Sequence, residues 1–285
     1  MNTTALPAIA DRSWLSRHKW LLARRFSQFA IFALFLSGPW LGWWIVKGNL
    51  SSSLTLGVLP LTDFYLLLQT MAAGHVPFRD ALLGAGIVVA FYLLVGGRTY
   101  CSWVCPVNVV TDAAGWLRNR LKLKGGHTPH PATRYWLLAG TLLAAAATGV
   151  TAWEFVNPVS MTQRALIFGM GFAWTIVLAV FLYDLLIAPR GWCGHLCPMG
   201  ACYSLLGHGA LLRVSAYRRD ACNDCMDCFR VCPEPQVIRP ALKKVSPGDT
   251  PLILDAQCTN CGRCIDVCQP DVFRFTTRFD RRTEP

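Results

Sequence analysis

The chain has 285 residues, of which 53% are hydrophobic and 15% are charged, and its formal net charge is +11. A soluble domain would contain about a quarter charged residues, so the composition favours a membrane protein. The positive charge does not require a nucleic-acid partner, because basic residues on one side of a membrane account for it.

Four apolar runs predict membrane-spanning helices. They lie at 27–46, 81–97, 135–153 and 167–188. Each is close to the length that a helix needs to cross the hydrocarbon core of a bilayer, and each is nearly free of charge. Two alternatives are core helices of a large soluble protein and, for the first run, a cleaved signal peptide. Four such runs, and the length of the first one, argue against them.

The distribution of Lys and Arg predicts the orientation of these spans. Five basic residues precede the first run, and two lie between the first and second runs. Six lie between the second and third runs, one between the third and fourth, and thirteen after the fourth. Because basic loops stay in the cytoplasm, both termini are expected to be cytoplasmic, and the protein is expected to be a multi-pass protein of the bacterial inner membrane. The predicted regions are a basic N-terminus (1–26), a membrane domain (27–200) and a cytoplasmic domain (201–285).

The segment 50–72 does not fit this alternation. It is long and apolar, but it contains Pro60 and Asp63. As a fifth span it would place the basic loop that follows on the outside, so we expect an interfacial or re-entrant element on the outer side. Asp63 and Glu154 are candidates for handling protons, although solvated loop charges are the simpler interpretation. Asp184, inside the fourth run, is costly in lipid and is a further candidate.

Eight of the thirteen cysteines form two runs with the spacing C-x2-C-x2-C-x3-C. This spacing is typical of bacterial ferredoxins, in which three cysteines of a run bind one [4Fe–4S] cluster and the fourth binds the other. The prediction is two clusters in an α+β ferredoxin-like domain. The first cluster would be bound by Cys222, Cys225, Cys228 and Cys268, and the second by Cys258, Cys261, Cys264 and Cys232. Zinc is the alternative, but it does not require these repeated third and fourth cysteines.

A second pattern occurs twice, as GRTYCSWVCP at 97–106 and PRGWCGHLCP at 189–198. The matching Arg, Cys and Pro residues indicate a duplicated two-span unit. We therefore expect four cysteines to meet at the cytoplasmic membrane face, namely Cys101, Cys105, Cys193 and Cys197. Their chemistry stays open between a metal site, a further iron–sulfur centre, a dithiol–disulfide pair and simple packing. Cys202 either joins them or is a buried structural thiol.

Together these features resemble the NapH/MauN group of membrane ferredoxin-type proteins. The resemblance covers nearly the whole chain and is most specific in two stretches, 37–77 and 100–112. It supports a fold in which an all-α bundle of four spans is followed by the two-cluster domain. It also implies that the eight ferredoxin cysteines are cluster ligands.

The resemblance also implies a function. A protein of this group is expected to be a quinol dehydrogenase subunit that passes electrons from the quinone pool toward periplasmic nitrate reductase, together with a NapG-type ferredoxin partner. The apolar segment 54–75 is our expected quinol site, independent of the resemblance. His75 is a candidate proton acceptor there, although a loop histidine with a local hydrogen bond is the simpler interpretation. The alternatives are an accessory protein that uses cytoplasmic electrons for maturation of a partner, and a scaffold for that partner.

Overall fold

The computed structural model of the chain describes residues 13–123, 125–169, 171–243 and 249–283. The predicted basic N-terminal region, 1–26, is therefore described only from residue 13 onward. The other part of that prediction, 1–12, lies outside the described residues.

The first helix, α1, runs over Trp14–Leu41. The Ser13 side chain caps its N-terminus, and Gly42 ends it in the left-handed conformation with a φ of 74°. Within the described part of the chain, α1 is the one helix long and apolar enough to cross a membrane, judged by length and composition. The predicted first span, 27–46, begins inside α1 but extends too far, because Gly42 stops the helix before Val46.

A three-stranded antiparallel sheet follows α1. Its strands are β1 (Val46–Gly48), β2 (Ser52–Thr55) and β3 (Leu59–Thr62), in that order. Gly48 has a φ of 105°, and a Cβ there would lie 2.3 Å from a backbone oxygen of the next strand. The prediction of an all-α membrane domain is wrong here. The alternating Ser, Thr and Leu residues suit a half-buried strand better than a helix.

Helix α2 (Phe64–Ala72) returns from the end of this sheet. The Asp63 carboxylate caps it by accepting a hydrogen bond from the Leu66 amide at 3.1 Å. Past the other end of α2, the His75 ring contacts the backbone oxygen of Gly149 at 3.0 Å. The apolar segment thus forms a sheet and a short helix rather than one continuous span.

Seven further α-helices follow in the described residues of the first part of the chain. They are α3 (Arg79–Val95), α4 (Thr99–Trp103), α5 (Val107–Arg120), α6 (Thr133–Thr148), α7 (Pro158–Phe168), α8 (Gly171–Leu182) and α9 (Pro198–Gly207). A π-helical turn, Tyr183–Ile187, extends α8.

The second predicted span, 81–97, agrees with α3 to within two residues at each end. The third, 135–153, is too long, because Gly149 ends α6 with a φ of 70°. The fourth, 167–188, begins too early, because Gly169 ends α7 with a φ of 63° and α8 starts after it. The predicted domain boundary at residue 200 falls inside α9, whose buried Tyr203 packs in the core of the helical part.

The C-terminal part has the predicted α+β composition. It contains β4 (Leu212–Ser215), α10 (Asp227–Val231), α11 (Arg239–Leu242), α12 (Arg263–Val267) and β5 (Arg274–Thr277). The two strands pair antiparallel. This part also contacts the start of the chain, because the Asp266 carboxylate accepts hydrogen bonds from the amides of Trp20 and Leu21 at 3.2 and 3.0 Å.

Candidate iron–sulfur sites

The first ferredoxin run surrounds a cavity together with one cysteine of the second run. About 350 Å³ of atom-free space, including the part open to solvent, is lined by Cys222, Cys225, Cys228 and Cys268. Asp224 and Met226 have φ values of 57° and 61°, which curl the loop around this space. Cys225 is exposed. We call this site the exposed ferredoxin cavity.

The second run forms a matching site with the last cysteine of the first run. About 360 Å³ of atom-free space is lined by Cys232, Cys258, Cys261 and Cys264. Gly262 has a φ of 72°, and a Cβ at this position would come within 2.6 Å of the Trp20 ring. Helix α1 therefore packs directly on the cysteine loop. We call this site the enclosed ferredoxin cavity.

Positive charge is concentrated at the enclosed cavity. Burial by itself would raise the pKa of the Cys261 thiol, but Arg263 and Arg24 lower it below its ordinary value. The Arg263 guanidinium is held by the Asp112 carboxylate, with N–O distances of 2.6 and 2.7 Å. Asp112 also pairs with Arg25 of α1. This network favours a thiolate at Cys261, which is the form that binds iron.

The two cysteine sets fit clusters better than single ions. Among the described residues, no group of three or more His, Cys, Asp or Glu is arranged to hold a single metal ion. A four-iron cluster is larger than a single ion. Its four cysteine sulfurs therefore surround a cavity that the cluster fills, whereas the ligands of one ion all lie within bonding distance of a single atom. The two ferredoxin cavities have this arrangement, which argues against tetrahedral zinc.

The paired C-x3-C-P motifs surround a third cavity of similar size. About 370 Å³ of atom-free space is lined by Cys101, Cys105, Cys193 and Cys197. The remaining wall is largely aromatic and apolar, and it includes Tyr100, Trp153 and Trp192. The structure therefore places at one site the four cysteines that the duplication was expected to bring together. We call it the motif cavity.

Both motifs consist of a short helical turn that is followed by a proline at the start of the next helix. In the first, Cys101 lies in α4 and Pro106 precedes the first residue of α5. In the second, Cys193 lies in a π-helical turn, Trp192–Leu196, and Pro198 is the first residue of α9. Each proline begins a helix, where its missing N–H has no intrahelical partner to lose.

The arginine of each motif reaches into the C-terminal part. Arg98 donates to Glu234 at 2.6 Å and to the backbone oxygen of Cys193 at 2.9 Å. Arg190 donates to the backbone oxygen of Cys232 at 3.1 Å. The two arginines therefore connect the motif cavity with the enclosed ferredoxin cavity.

Two side chains of the first motif contact the cysteine loop directly. Ser102 donates to the backbone oxygen of Thr259 at 2.7 Å, and the Trp103 indole donates to that of Asn260 at 3.0 Å. Asn260 in turn donates to the backbone oxygen of Val95 at the end of α3. The enclosed cavity therefore lies against the motif cavity. These hydrogen bonds reach the loop of the enclosed cavity and not that of the exposed cavity.

Glu234 and Arg134 were not found from the sequence. Glu234 is buried and accepts hydrogen bonds from both Arg98 and Arg134, the second at 3.0 Å. Arg134 also donates to the backbone oxygen of Gly194 in the second motif. Only the matching arginines of the motifs were visible as a pattern. Their acidic partner, Glu234, lies in a loop whose local sequence contains no recognisable motif for this role.

The other predicted side chains have different surroundings. Asp63 is only 5% exposed and accepts a hydrogen bond from Tyr203 at 2.5 Å, so the solvated-loop interpretation is wrong for it. Glu154 is half-buried and accepts from Ser160 at 2.8 Å. Asp184 is buried and accepts from the Trp192 amide beside the second motif. Cys202 is buried and lines none of the three cavities, which supports a structural role.

Comparison with known proteins identifies the family. A model described as a 4Fe-4S binding domain matches residues 80–124 and 167–215, and one described as a 4Fe-4S dicluster domain matches 221–281. The methylamine utilization ferredoxin-type protein MauN of Paracoccus denitrificans is 57% identical over 271 residues, which are 95% of each chain. The ferredoxin-type protein NapH of Escherichia coli is 48% identical over 273 residues, covering 95% of this chain and 94% of that protein. The chain belongs to the NapH/MauN family of ferredoxin-type proteins.

This membership confirms the resemblance found in the sequence. As a member of the NapH/MauN family, the chain is an electron-transport protein that binds iron–sulfur clusters. The matched 4Fe-4S binding domain includes both C-x3-C-P motifs. No solved structure matches the chain.

Proposed function

We propose that the chain is the membrane subunit of a quinol dehydrogenase that passes electrons toward periplasmic nitrate reductase through a NapG-type ferredoxin partner. The observation that carries this proposal is the contact between the motif cavity and the enclosed ferredoxin cavity. Three sets of four cysteines follow one another from the helical part to an exposed thiol at Cys225. Such a series suits electron transfer between a membrane donor and a protein acceptor.

Each cavity would hold one [4Fe–4S] cluster. The eight ferredoxin cysteines would bind two of them in the crossed pattern, with Cys268 completing the first set and Cys232 the second. The four motif cysteines would bind a third. A bound cluster accepts and releases one electron at a time. The protein's own part is to supply thiolates and to place positive charge beside Cys261.

The proposed topology has four spans with both termini in the cytoplasm. The contact of Asp266 with the amides of Trp20 and Leu21 supports it, because it places the start of α1 beside the ferredoxin-like part. The basic residues in the first three turns of α1 and those that follow α8 favour the same, cytoplasmic side. The segment 50–72 would be re-entrant from the outer side, since α2 returns toward Gly149 at the end of α6.

This topology places the ferredoxin clusters and the nitrate reductase on opposite sides of the membrane. The motif cavity lies between the helical part and the ferredoxin-like part. We propose it as the centre that connects quinol oxidation with both sides.

A second candidate function is an accessory role in methylamine utilization. The 57% identity to MauN exceeds the 48% identity to NapH, and this observation favours it. In this role the clusters would carry cytoplasmic electrons for the maturation or assembly of a partner, without oxidising quinol.

The two functions can be separated with the purified full chain. Quinol oxidation predicts that a reduced quinone analogue reduces the clusters of the protein in lipid nanodiscs, as followed by electron paramagnetic resonance. An accessory role predicts that only a soluble low-potential reductant does so. Complementation of strains that lack the nitrate-linked or the methylamine-linked relative then identifies the recipient pathway.

A further inference from the structure

A larger cavity lies beside the motif cavity. It contains about 840 Å³ of atom-free space, including its mouth, which is in the range of small-molecule sites. Its apolar wall comes from α1, through Ile31, Leu34 and Phe35, and from α3, through Val88. Leu34 is 41% exposed, so this wall reaches the surface of α1. We call it the Asp63 cavity.

The polar groups of this cavity are few and grouped together. Asp63 lines it and is held at the N-terminus of α2, with one oxygen accepting from the Leu66 amide. Tyr203 lines it as well and donates its hydroxyl to the other oxygen of Asp63. A buried carboxylate in an apolar part of a membrane protein is costly, and such residues usually serve binding or proton transfer.

One residue, Tyr100, forms a wall of both the Asp63 cavity and the motif cavity. Its ring stacks on Tyr203 with centroids 4.9 Å apart, and Tyr92 packs edge-on against both rings. The buried Tyr100 hydroxyl has no hydrogen-bond partner among the described residues. Because Cys101 follows Tyr100 in the chain, a ligand in the Asp63 cavity would be separated from the cysteine site by little more than this ring.

We propose that the Asp63 cavity binds the hydroquinone ring of quinol, with Asp63 as the proton acceptor and the apolar tail along α1. This inference rests on the proposed function as a quinol dehydrogenase and assigns the site at which it occurs. The apolar walls fit the ring and tail, and the Asp63, Tyr203 and Tyr100 oxygens provide the polar partners that its hydroxyls need.

The proposed reaction is balanced in protons and electrons. A hydroquinone loses two hydroxyl protons and two electrons and becomes a quinone. Asp63 accepts the first proton, passes it to water outside the cavity, and then accepts the second. The four motif cysteines beyond Tyr100 would hold an oxidised iron–sulfur cluster, which would supply a one-electron acceptor for each of the two electrons in turn.

The binding test uses the full chain in nanodiscs, with menadione as the probe in equilibrium dialysis. Val88→Trp fills the cavity, whereas Leu94→Trp places the same side chain on the outward, 56% exposed face of α3. Val88→Trp is expected to weaken menadione binding by about tenfold or more, and Leu94→Trp to leave it unchanged. Equal binding by wild type and Val88→Trp would overturn the site.

The second test separates binding from proton transfer. Asp63→Asn keeps an N-cap for α2 but removes the carboxylate, so menadione should still bind. The rate at which menadiol reduces the clusters should fall by about 100-fold, while dithionite reduces them normally. An unchanged menadiol rate would overturn the role of Asp63. If menadiol fails to reduce the wild-type clusters that dithionite reduces, the proposed function fails instead.

Discussion

The two ferredoxin cavities have the same cysteine spacing but differ in their surroundings. The exposed cavity has Cys225 at the surface and Met226 with 48% of its area exposed. The enclosed cavity has buried Cys261 and Cys264, lies under Trp20, and is bordered by Arg263. The same C-x2-C-x2-C-x3-C spacing therefore forms two sites that suit different electron-transfer roles. The enclosed site suits exchange within the protein, toward the motif cavity, and the exposed site suits exchange with a partner.

Removing a cysteine from the enclosed cavity tests this comparison most strongly. Cys264→Ser should lose about four iron atoms per chain and destabilise the contact with the motifs, because a buried cluster supports its loop. Cys202→Ser is the matched control, since Cys202 is also buried but lines none of the three cysteine cavities, and the variant should keep its full iron content. Chemical iron analysis gives the result, and equal losses from both variants would contradict the assignment.

The next largest effect concerns the ion network that joins the two parts. Glu234→Gln leaves Arg98 and Arg134 buried without their shared carboxylate, so the variant should lose about 3–5 kcal/mol of unfolding free energy. Asp227→Asn removes an exposed pair with Arg230 and should cost about 0–1 kcal/mol. Denaturation of both variants in the same detergent measures the difference. Similar losses would show that Glu234 does not hold the parts together.

The same network predicts an acid sensitivity. Burial by itself would raise the pKa of Glu234, but Arg98 and Arg134 hold it below its ordinary value. The stabilisation is therefore complete above the unfolded pKa of about 4.3 and is lost as the pH falls through the lowered folded value. Wild type should lose stability in that acidic range more steeply than Glu234→Gln. Parallel pH profiles of the two would contradict this.

A smaller difference is expected in the access of reagents to the two sites. Under limited oxidation in the presence of a chelator, iron should leave in two phases, with the exposed cavity losing its iron first. Cys225→Ser should remove the fast phase and leave the slow one. A single phase in the wild type would show that the two cavities are equally accessible.

The smallest predicted effect concerns the redox potential of the enclosed cluster. Arg263→Gln removes a positive charge next to Cys261, so the midpoint potential of that cluster should become more negative. Arg230→Gln, on the exposed side, should leave that potential unchanged. Redox titration followed by electron paramagnetic resonance measures both variants, and a shift in the opposite direction would contradict the electrostatic account.

The sequence predicted the cysteine sites better than the path of the backbone. Fixed spacing within each run limits where its cysteines can lie, and the repeat at 92 residues pointed to the motif cavity. The helix ends depended on Gly149 and Gly169, whose left-handed conformations a hydropathy pattern does not reveal. The sheet at 46–62 is not predictable from hydropathy, because a short apolar run fits a half-buried strand and a membrane element equally well.

The partners of buried charges were the least predictable part. Glu234 and Asp63 lie in unremarkable local sequences, and each finds its partner far along the chain, at Arg98 and Tyr203. Such pairings depend on how the helices pack, which no local spacing encodes. Asp63 was noticed as a carboxylate in an apolar segment, but its burial and its cavity appear only in the folded chain.

The most direct test of the account is the iron and acid-labile sulfide content of the full chain, purified without oxygen. Three clusters predict about twelve iron atoms and twelve sulfides per chain, falling to about eight of each when Cys101 and Cys197 are both changed to Ser. A wild-type content of about eight that is unaffected by this double substitution would contradict a cluster at the motif cavity. Zinc in place of iron would contradict the account as a whole.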